Sequence, residues 1–249
     1  MRIEGSQILI TGAGRGIGRF LLEKFRYEGA KVATIERDAG AADALKSECS
    51  GVLAVVADLS CADEVASALR QLEESGFVSD VVVNNAGVIH SEPLVNLLDR
   101  LDPLHSVDTW RDTLASNLDS TFFVTRAAVG DWVRKRRKGV AINMSSISAQ
   151  GNAGQSAYSA AKAGVNALTK TWAKELGPFG LRFASIAPGF IDTPSTREAL
   201  SEAKIAELER RIPLRKLGTL DDIYRTARFI IENDYVNGAV MEIDGGLTL

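Results

Sequence analysis

Cysteine and histidine are scarce in this chain, which has two of each among its 249 residues. The cysteines, Cys49 and Cys61, do not show the paired spacing of structural zinc sites. Two thiols in a chain of this length also fall short of the disulfide framework of small secreted proteins. The sequence therefore predicts no metal site and favours a reducing compartment.

Long hydrophobic runs and an excess of positive charge are also absent. The apolar run near the N-terminus soon leads into glycines, so it is too short for a secretory signal or a membrane span. The formal net charge of −3 gives no basic field that would attract nucleic acid or an anionic membrane. We therefore expect a cytoplasmic protein with neither partner, whose hydrophobic residues, 45% of the total, build a substantial core.

Short apolar segments alternate with longer amphipathic ones along the chain. Seven short segments are apolar nearly throughout, as buried parallel strands are. They lie at residues 7–11, 31–36, 52–57, 80–85, 140–145, 181–187 and 239–243, with amphipathic segments such as 17–28, 62–74 and 108–130 between them. This alternation predicts an α/β fold, a doubly wound parallel sheet of the Rossmann type with helices on both faces. No linker or repeat interrupts it, so we expect residues 1–249 to form a single domain.

Two segments interrupt the alternation, residues 88–107 after the fourth strand and residues 190–217 with a charged helix between two prolines. In open α/β sheets, ligands bind beyond the carboxyl ends of the strands. Both segments leave such ends, so either could cover a binding site, and solvated loops are the alternative. We expect the segment at about 190–217 to cover the substrate.

A glycine-rich turn follows the first strand in "TGAGRGIG", where Gly12, Gly16 and Gly18 keep the spacing T-G-x-x-x-G-x-G. Glycine permits a tight turn and a close approach of the backbone to a pyrophosphate, and the following helix offers its N-terminal amides. Because the turn lies between a strand and a helix at the start of the chain, it indicates a dinucleotide site.

The second strand ends at Glu36, where the ribose of a dinucleotide would lie. A carboxylate there accepts hydrogen bonds from a ribose 2′-hydroxyl and repels a 2′-phosphate, which favours NAD(H). Arg15 and Arg37 favour NADP(H) instead, because a guanidinium suits a phosphate, although both could be solvated surface arginines. We give Glu36 more weight, so NAD(H) is the expected cofactor and NADP(H) the alternative.

The stretch "YSAAK" places Tyr158 and Lys162 four residues apart. Such a pair is often only a surface feature of a helix. With the glycine-rich turn, however, it resembles the short-chain dehydrogenase/reductase family over nearly the whole chain. Further motifs occur in the family's order: NNAG at 84–87, NLDSTF at 117–122, NMSS at 143–146, PGFIDT at 188–193 and VNGAVMEIDGG at 236–246. The resemblance implies hydride transfer between a nicotinamide cofactor and a ketone or secondary alcohol.

The resemblance also implies a role for each polar residue of these motifs. Tyr158 would exchange a proton with the substrate oxygen. The charges of Lys162 and of an oxidised nicotinamide would lower the pKa of the Tyr158 phenol from about 10. Lys162 would also hold the ribose hydroxyls, and Asn117 would position a water behind it. We expect Ser146 to hydrogen-bond the substrate oxygen, because it has the family's spacing from the asparagine of the strand. Ser145, which has the family's spacing to the tyrosine, is the alternative.

The remaining motif positions are expected to contact the cofactor. The resemblance implies contacts with adenine near Asp58, with the ribose at 85–87 and with the nicotinamide amide at 188–193. The expected set is Gly12, Arg15, Gly16, Ile17, Gly18, Glu36, Arg37, Asp58, Leu59, Asn85, Ala86, Gly87, Tyr158, Lys162, Pro188, Gly189, Ile191 and Thr193.

The best expectation for the substrate is a 3-oxoacyl thioester, as in the family's 3-oxoacyl-(acyl-carrier-protein) reductases. The basic run at 132–139 resembles the patch that those enzymes present to the acidic carrier, with Arg137 in the corresponding place, although a solvated helix end explains it as well. Two residues differ from what is usual in those reductases. They usually use NADPH, whereas Glu36 favours NAD(H), and they tend to have a basic residue where this chain has Phe179. The alternatives are an NAD-dependent 3-hydroxyacyl-CoA or hydroxysteroid dehydrogenase and, from another class, a non-catalytic dinucleotide-binding regulator.

A homotetramer is expected, largely from the resemblance. The apolar last strand is predicted at a sheet edge, and an uncovered apolar edge invites aggregation. Small residues around Tyr158 would permit close approach of another helix. A closed assembly would bury these surfaces, unless the helix predicted at 196–211 covers the edge within the chain.

Overall fold

The computed structural model describes residues 1–98 and 101–248, and a parallel sheet of seven strands runs through this part of the chain. The strands are β1 (Gln7–Thr11), β2 (Lys31–Glu36), β3 (Leu53–Val56), β4 (Val81–Asn84), β5 (Gly139–Met144), β6 (Leu181–Pro188) and β7 (Val240–Ile243). Their order is β3-β2-β1-β4-β5-β6-β7, and each neighbouring pair is parallel. All of the predicted strands are therefore present, each with its ends within one residue of the prediction.

Nine α-helices are described, and they cover both faces of the sheet. They are α1 (Gly16–Tyr27), α2 (Ala39–Glu48), α3 (Ala62–Glu74), α4 (Val107–Leu114), α5 (Ser120–Arg134), α6 (Ser156–Leu176), α7 (Pro194–Ala199), α8 (Glu202–Arg211) and α9 (Leu220–Glu232). Neighbouring strand residues point to opposite faces, so Ile8 packs in the cluster with α1, α2 and α9, while Leu9 packs in the cluster with α3, α5 and α6. The predicted doubly wound α/β fold is confirmed.

Two predicted helical segments are broken in the structure. The segment 108–130 is divided by a π-helical turn, Ala115–Asp119, between α4 and α5. The charged segment 196–211 is divided between α7 and α8, because the extended Leu200 ends one helix and the side chain of Ser201 caps the next. Hydrophobic periodicity alone does not report either break, since the apolar positions continue through both.

The strand order fixes where a ligand can bind. β1 lies between β2 and β4, so the connections that leave the carboxyl ends of β1 and β4 diverge to opposite sides. In doubly wound sheets this divergence opens a crevice beyond the strand ends. The glycine-rich turn after β1 and the turn after β4 therefore both border that crevice.

The last strand, β7, lies at the edge of the sheet, as predicted. Helix α8 packs through Ile205 against a small cluster that includes Ile212 and Leu247. Among the described residues, no helix combines the length and the apolar character needed to cross a bilayer. The interpretation of residues 1–249 as a single domain and the homotetramer stay predictions.

Candidate active site

A cleft of about 1270 Å³ opens at the carboxyl ends of the central strands, and every predicted site residue except Gly18 lines it. Its walls include the two candidate catalytic hydroxyls, one just after β5 and one on α6, together with the glycine-rich turn and the segment after β6. The segment predicted to cover a substrate contributes through Phe190, Thr193, Ser195, Thr196, Ala199 and Leu200. The fold thus brings together residues that are far apart in sequence.

The glycine-rich turn has the backbone geometry that only glycine adopts readily. Gly12 and Gly16 have positive φ angles of 66° and 60°. Gly18 lies outside the cleft lining, and a side chain there would collide with the carbonyl oxygen of Gly12. The absence of a side chain at Gly18 therefore lets α1 pack closely against the turn, and the cofactor contact expected from the sequence stays a prediction.

The turn after β4 is tied to the glycine-rich turn by hydrogen bonds that the sequence analysis missed. Thr11 Oγ1 accepts hydrogen bonds from the backbone N–H groups of Asn85 and Ala86, both at 3.0 Å. Asn85 Nδ2 donates to the carbonyl oxygens of Thr11 and Gly12 at 3.0 and 2.9 Å. The threonine that begins T-G-x-x-x-G-x-G could have indicated these bonds in the sequence, because its hydroxyl faces β4 and the turn that follows β4.

Glu36 is buried, with 7% of its surface exposed, at the end of β2. Its Oε1 accepts hydrogen bonds from the Ala13 N–H and, at 2.6 Å, from the Thr34 hydroxyl. Burial raises the pKa of the Glu36 carboxyl, and these hydrogen bonds oppose the rise. Arg15 and Arg37 are exposed at the cleft, so the only carboxylate or guanidinium buried in this part of the cleft wall, among the described lining residues, is Glu36.

Asp58, where adenine contacts are expected, is held by the serine that follows. Its Oδ1 accepts hydrogen bonds from Ser60 N at 2.8 Å and Ser60 Oγ at 2.7 Å. These bonds lower the pKa of the Asp58 carboxyl, and the charge of Arg37 contributes in the same direction. Ser60 lines the cleft as well, although the sequence gave no reason to select it.

Tyr158 and Lys162 lie on the first two turns of α6 and are both nearly buried, with 7% and 4% of their surfaces exposed. Lys162 Nζ lies 5.5 Å from the centre of the Tyr158 ring and donates a hydrogen bond of 2.8 Å to the Met144 carbonyl oxygen. Burial lowers the pKa of Lys162 to about 8. Burial also raises the pKa of Tyr158, while a hydrogen bond with Ser146 opposes that rise. Among protein groups alone, the pKa of Tyr158 therefore shifts upward, opposite to the direction expected with an oxidised nicotinamide nearby.

The two serines after β5 have different surroundings. Ser146 borders the cleft, lies close enough to Tyr158 to oppose the rise in the pKa of its phenol, and accepts a hydrogen bond from Ser148 N at 3.1 Å. The Oγ of Ser145 points to α6 and donates to the Lys162 carbonyl oxygen at 3.3 Å. The hydroxyl that meets the tyrosine is thus that of Ser146, and the hydroxyl of Ser145 fastens the helix to the strand.

Asn117 lies fully buried in the π-helical turn between α4 and α5. Its Nδ2 donates to the carbonyl oxygens of Thr113 and Val88 at 2.9 and 3.0 Å, while its Oδ1 is buried without a hydrogen-bond partner in the described protein. A side chain at Gly87 would collide with that oxygen and reach within 3.6 Å of Lys162 Nζ. The orphaned oxygen is therefore an acceptor beside the lysine, as a water-mediated relay needs.

Below the candidate catalytic residues, a chain of buried polar side chains crosses three strands. Asn84 Nδ2 donates to Asn143 Oδ1 at 2.8 Å, and Asn143 Nδ2 donates to Thr169 Oγ1 at 2.8 Å. Thr169 Oγ1 also lies 2.7 Å from Ser185 Oγ. These bonds join β4, β5 and β6 to α6, two turns beyond Lys162, so they fix the position of that helix on the sheet.

The connection at 88–107 forms another wall of the cleft. Val88, Ile89 and Ser91 line it, and Ser91 Oγ accepts a hydrogen bond of 3.1 Å from Gln155 at the start of α6. Ile89 is 71% exposed, so an apolar surface is presented beside the polar catalytic groups.

Comparisons with known proteins agree with this geometry. A family model described as enoyl-(acyl carrier protein) reductase matches residues 12–248. The chain belongs to the short-chain dehydrogenase/reductase family. Its relatives include the 3-oxoacyl-[acyl-carrier-protein] reductase FabG of Thermotoga maritima, 36% identical over 100% of both chains, and the human (3R)-3-hydroxyacyl-CoA dehydrogenase, 35% identical over 99% of this chain and 97% of the other. A 3-oxoacyl-[acyl-carrier protein] reductase with bound NAD from Brucella melitensis has a TM-score of 0.85 and 29% identity, over 99% of this chain and 92% of that one.

Family membership confirms the predicted enzyme class. This dehydrogenase/reductase is an oxidoreductase that acts on CH–OH groups with a nicotinamide cofactor. The chain's own residues fit such a cofactor, since the glycines leave a cradle that side chains would fill and Asn117 keeps a free acceptor beside the lysine.

The basic run at 132–139 lies at the opposite end of the sheet from the cleft, because it ends at the first residue of β5 and the cleft lies beyond the last one. Arg137 is paired with Asp80 just before β4, and Lys135 is paired with Glu73. Phe179, where the carrier-protein reductases tend to have a basic residue, is 67% exposed. The patch thus carries less free positive charge than its sequence suggests.

The burial of Lys162 predicts a dependence of stability on pH. Its pKa is about 8 in the folded state and near 10.5 in an unfolded chain, so the unfolded state binds more protons between these values. The free energy of unfolding of the wild type, relative to Lys162→Met, should therefore rise from pH 8 to 10 by about 1 kcal/mol per pH unit. Urea unfolding of both proteins at several pH values measures this difference, and a flat difference would contradict the prediction.

Proposed function

We propose that this enzyme transfers a hydride between NAD(H) and a 3-oxoacyl or 3-hydroxyacyl thioester. The observation that carries the proposal is that Ser146 and Tyr158 line the same cleft, with the buried Lys162 Nζ 5.5 Å from the centre of the tyrosine ring. Two hydroxyls that meet at one point can hold one carbonyl oxygen between them. The full-length similarity to 3-oxoacyl-[acyl-carrier-protein] reductases supports the choice of substrate.

In the proposed reaction, Ser146 donates a hydrogen bond to the substrate oxygen, and Tyr158 supplies its proton during reduction or removes it during oxidation. Bound nicotinamide supplies or accepts the hydride. Lys162 favours the phenolate form of Tyr158 through its charge, and the free Oδ1 of Asn117 holds the water that resupplies the proton. In the free protein the pKa of Tyr158 is raised by burial, so the proposal assigns to bound cofactor the further charge that favours phenolate.

The proposed cofactor is NAD(H), with the pyrophosphate on the glycine-rich turn and the N-terminus of α1, and the adenosine ribose beside Glu36. A 2′-phosphate carries roughly two negative charges, and it would place them next to the buried carboxylate of Glu36, which would repel it. The Brucella melitensis reductase, whose structure holds NAD, supports this cofactor by similarity. Arg15 and Arg37 remain the counter-argument, because both are exposed and free to turn toward a phosphate.

A coenzyme A thioester is the second candidate for the carrier. The pairing of Arg137 with Asp80 and the exposed Phe179 favour it, since both weaken a surface that would attract an acidic carrier protein. The apolar wall made by Ile89, Phe190 and Leu200 suits the acyl chain with either carrier. Rates with the same 3-oxoacyl group on coenzyme A and on acyl carrier protein discriminate between them.

A non-catalytic regulator is less well supported. A protein that only senses dinucleotide could use Lys162 to hold the ribose, but it has no need of the two hydroxyls of Ser146 and Tyr158 that line the cleft as well. A hydroxysteroid substrate, the homotetramer and a cytoplasmic location stay predictions.

Tyr158→Phe should lower kcat about 10²–10⁴-fold with a 3-oxoacyl-CoA and NADH, because it removes the proton donor. The dissociation constant for NADH should remain nearly unchanged. Tyr235→Phe is the matched control, since Tyr235 is 99% exposed and lies outside the cleft lining. A wild-type kcat in Tyr158→Phe, with a substrate whose turnover is limited by chemistry, would refute the assignment; no activity of the wild type with any 3-oxoacyl thioester would refute the substrate.

Ser146→Ala should lower kcat more than Ser145→Ala does, because the Ser146 hydroxyl meets Tyr158 whereas the Ser145 hydroxyl bonds the α6 backbone. Ser145→Ala should chiefly lower the melting temperature, because it removes a hydrogen bond between the strand end and α6. Steady-state kinetics and thermal unfolding of both variants test this, and the reverse order of kcat values would assign the catalytic role to Ser145.

The wild type should have a higher kcat/KM with NADH than with NADPH, because the buried carboxylate of Glu36 repels a 2′-phosphate. Glu36→Gln should reduce the ratio of kcat/KM with NADH to kcat/KM with NADPH. Initial rates with both cofactors at a fixed thioester concentration measure it. A preference of the wild type for NADPH would mean that Arg15 and Arg37 dominate the recognition.

A further inference from the structure

The carboxylate of Glu36 is held in place by groups on two sides of it. From the turn after β1, the Ala13 N–H donates to Oε1; from its own strand, the Thr34 hydroxyl donates to the same oxygen at 2.6 Å. The other oxygen, Oε2, lies 3.2 Å from the place where a Cβ of Gly14 would stand, on the side of the glycine-rich turn. Glu36 and Gly14 both line the cleft.

Thr34 is fully buried, and its hydroxyl is not needed to build the strand. It lies two residues before Glu36 on β2, so both side chains point to the same face of the sheet. Valine has nearly the same shape and suits a buried strand equally well. A buried hydroxyl costs free energy unless it is hydrogen-bonded, and the partner that Thr34 has for it is the carboxylate.

The carboxylate, in turn, depends on donors of this kind. Burial disfavours the ionised form of Glu36, and the Thr34 hydroxyl is the largest of the hydrogen-bonding influences that favour it, ahead of Ala13 and Gly14. A hydrogen bond to a charged group is stronger than one between neutral groups. Without it, the carboxyl group would be free to take up a proton or to rotate out of the wall.

We propose that Thr34 is a positioning residue for cofactor selection, whose hydroxyl fixes the Glu36 carboxylate where it accepts hydrogen bonds from a ribose 2′-hydroxyl and excludes a 2′-phosphate. The inference rests on the proposed preference for NAD(H). Glu36 then does not distinguish NAD(H) from NADP(H) alone. Thr34, two positions earlier on the strand and outside the cleft lining, determines how strongly the carboxylate does so.

The test compares dissociation constants of NADH and NADPH, measured by equilibrium fluorescence titration of the purified full-length protein. Thr34→Val removes the hydroxyl at constant shape, and Thr34→Ser restores it. Thr34→Val should shift the ratio of the two constants about 10-fold toward NADPH, the equivalent of roughly 1.4 kcal/mol, and Thr34→Ser should keep the wild-type ratio. The kcat at saturating NADH should stay near the wild-type value, because no catalytic group is moved.

Three further variants make the result decisive. Thr226→Val is the control for a general effect of losing a threonine hydroxyl, since Thr226 bonds the Asp222 carbonyl oxygen on α9, outside the cleft lining. Thr34→Ala is a second hydroxyl-free variant if Thr34→Val does not fold. Glu36→Gln reports the full effect of the carboxylate's charge.

The outcomes separate the two proposals. An unchanged ratio in Thr34→Val, with a shifted ratio in Glu36→Gln, would overturn the role of Thr34 and leave selection by Glu36 standing. Equal shifts in Thr34→Val and Thr34→Ser would also overturn it, because the hydroxyl would then be irrelevant. An unchanged ratio in Glu36→Gln would refute selection by Glu36 itself, and the role of Thr34 with it.

Discussion

The rest of the site depends on the burial of one ammonium group. Lys162 is 4% exposed, and its Nζ is held by the Met144 carbonyl oxygen at 2.8 Å, at the end of β5. Removing a charge from water is costly, so such a group is tolerated only where the surroundings are fixed. The geometry of strand, helix and lysine therefore has to be maintained by bonds elsewhere.

Those bonds lie beneath the site, where the sheet and α6 are joined by polar side chains. The bonds from Asn84 to Asn143 and from Asn143 to Thr169 cross the sheet within its buried layer. Because the buried amide of Asn143 would be left with an unsatisfied atom if either partner moved away, these bonds fix one position of the helix rather than a range. The apolar contacts around it are non-directional and could not do this alone.

The strands and the principal site residues could be predicted because their signals are local in sequence. A strand buried on both faces must be apolar throughout, and the Tyr158–Lys162 spacing is one helical turn. The π-helical turn that buries Asn117, the division between α7 and α8, and the role of Ser60 could not be predicted. Each depends on a hydrogen-bond partner or a packing surface from another part of the chain, and periodicity contains no information about such partners.

For Glu36, the sequence predicts the type and the place of the residue but not the hydrogen bonds that hold it. The sequence indicates a carboxylate at the end of the second strand, and the structure has it there. What the sequence did not indicate is that the same oxygen binds the glycine-rich turn through Ala13 and its own strand through Thr34. The shape of the turn and the charge that faces a ribose are therefore coupled. A substitution that disturbs the turn also acts on the carboxylate, so the two halves of the nucleotide site form one structural unit.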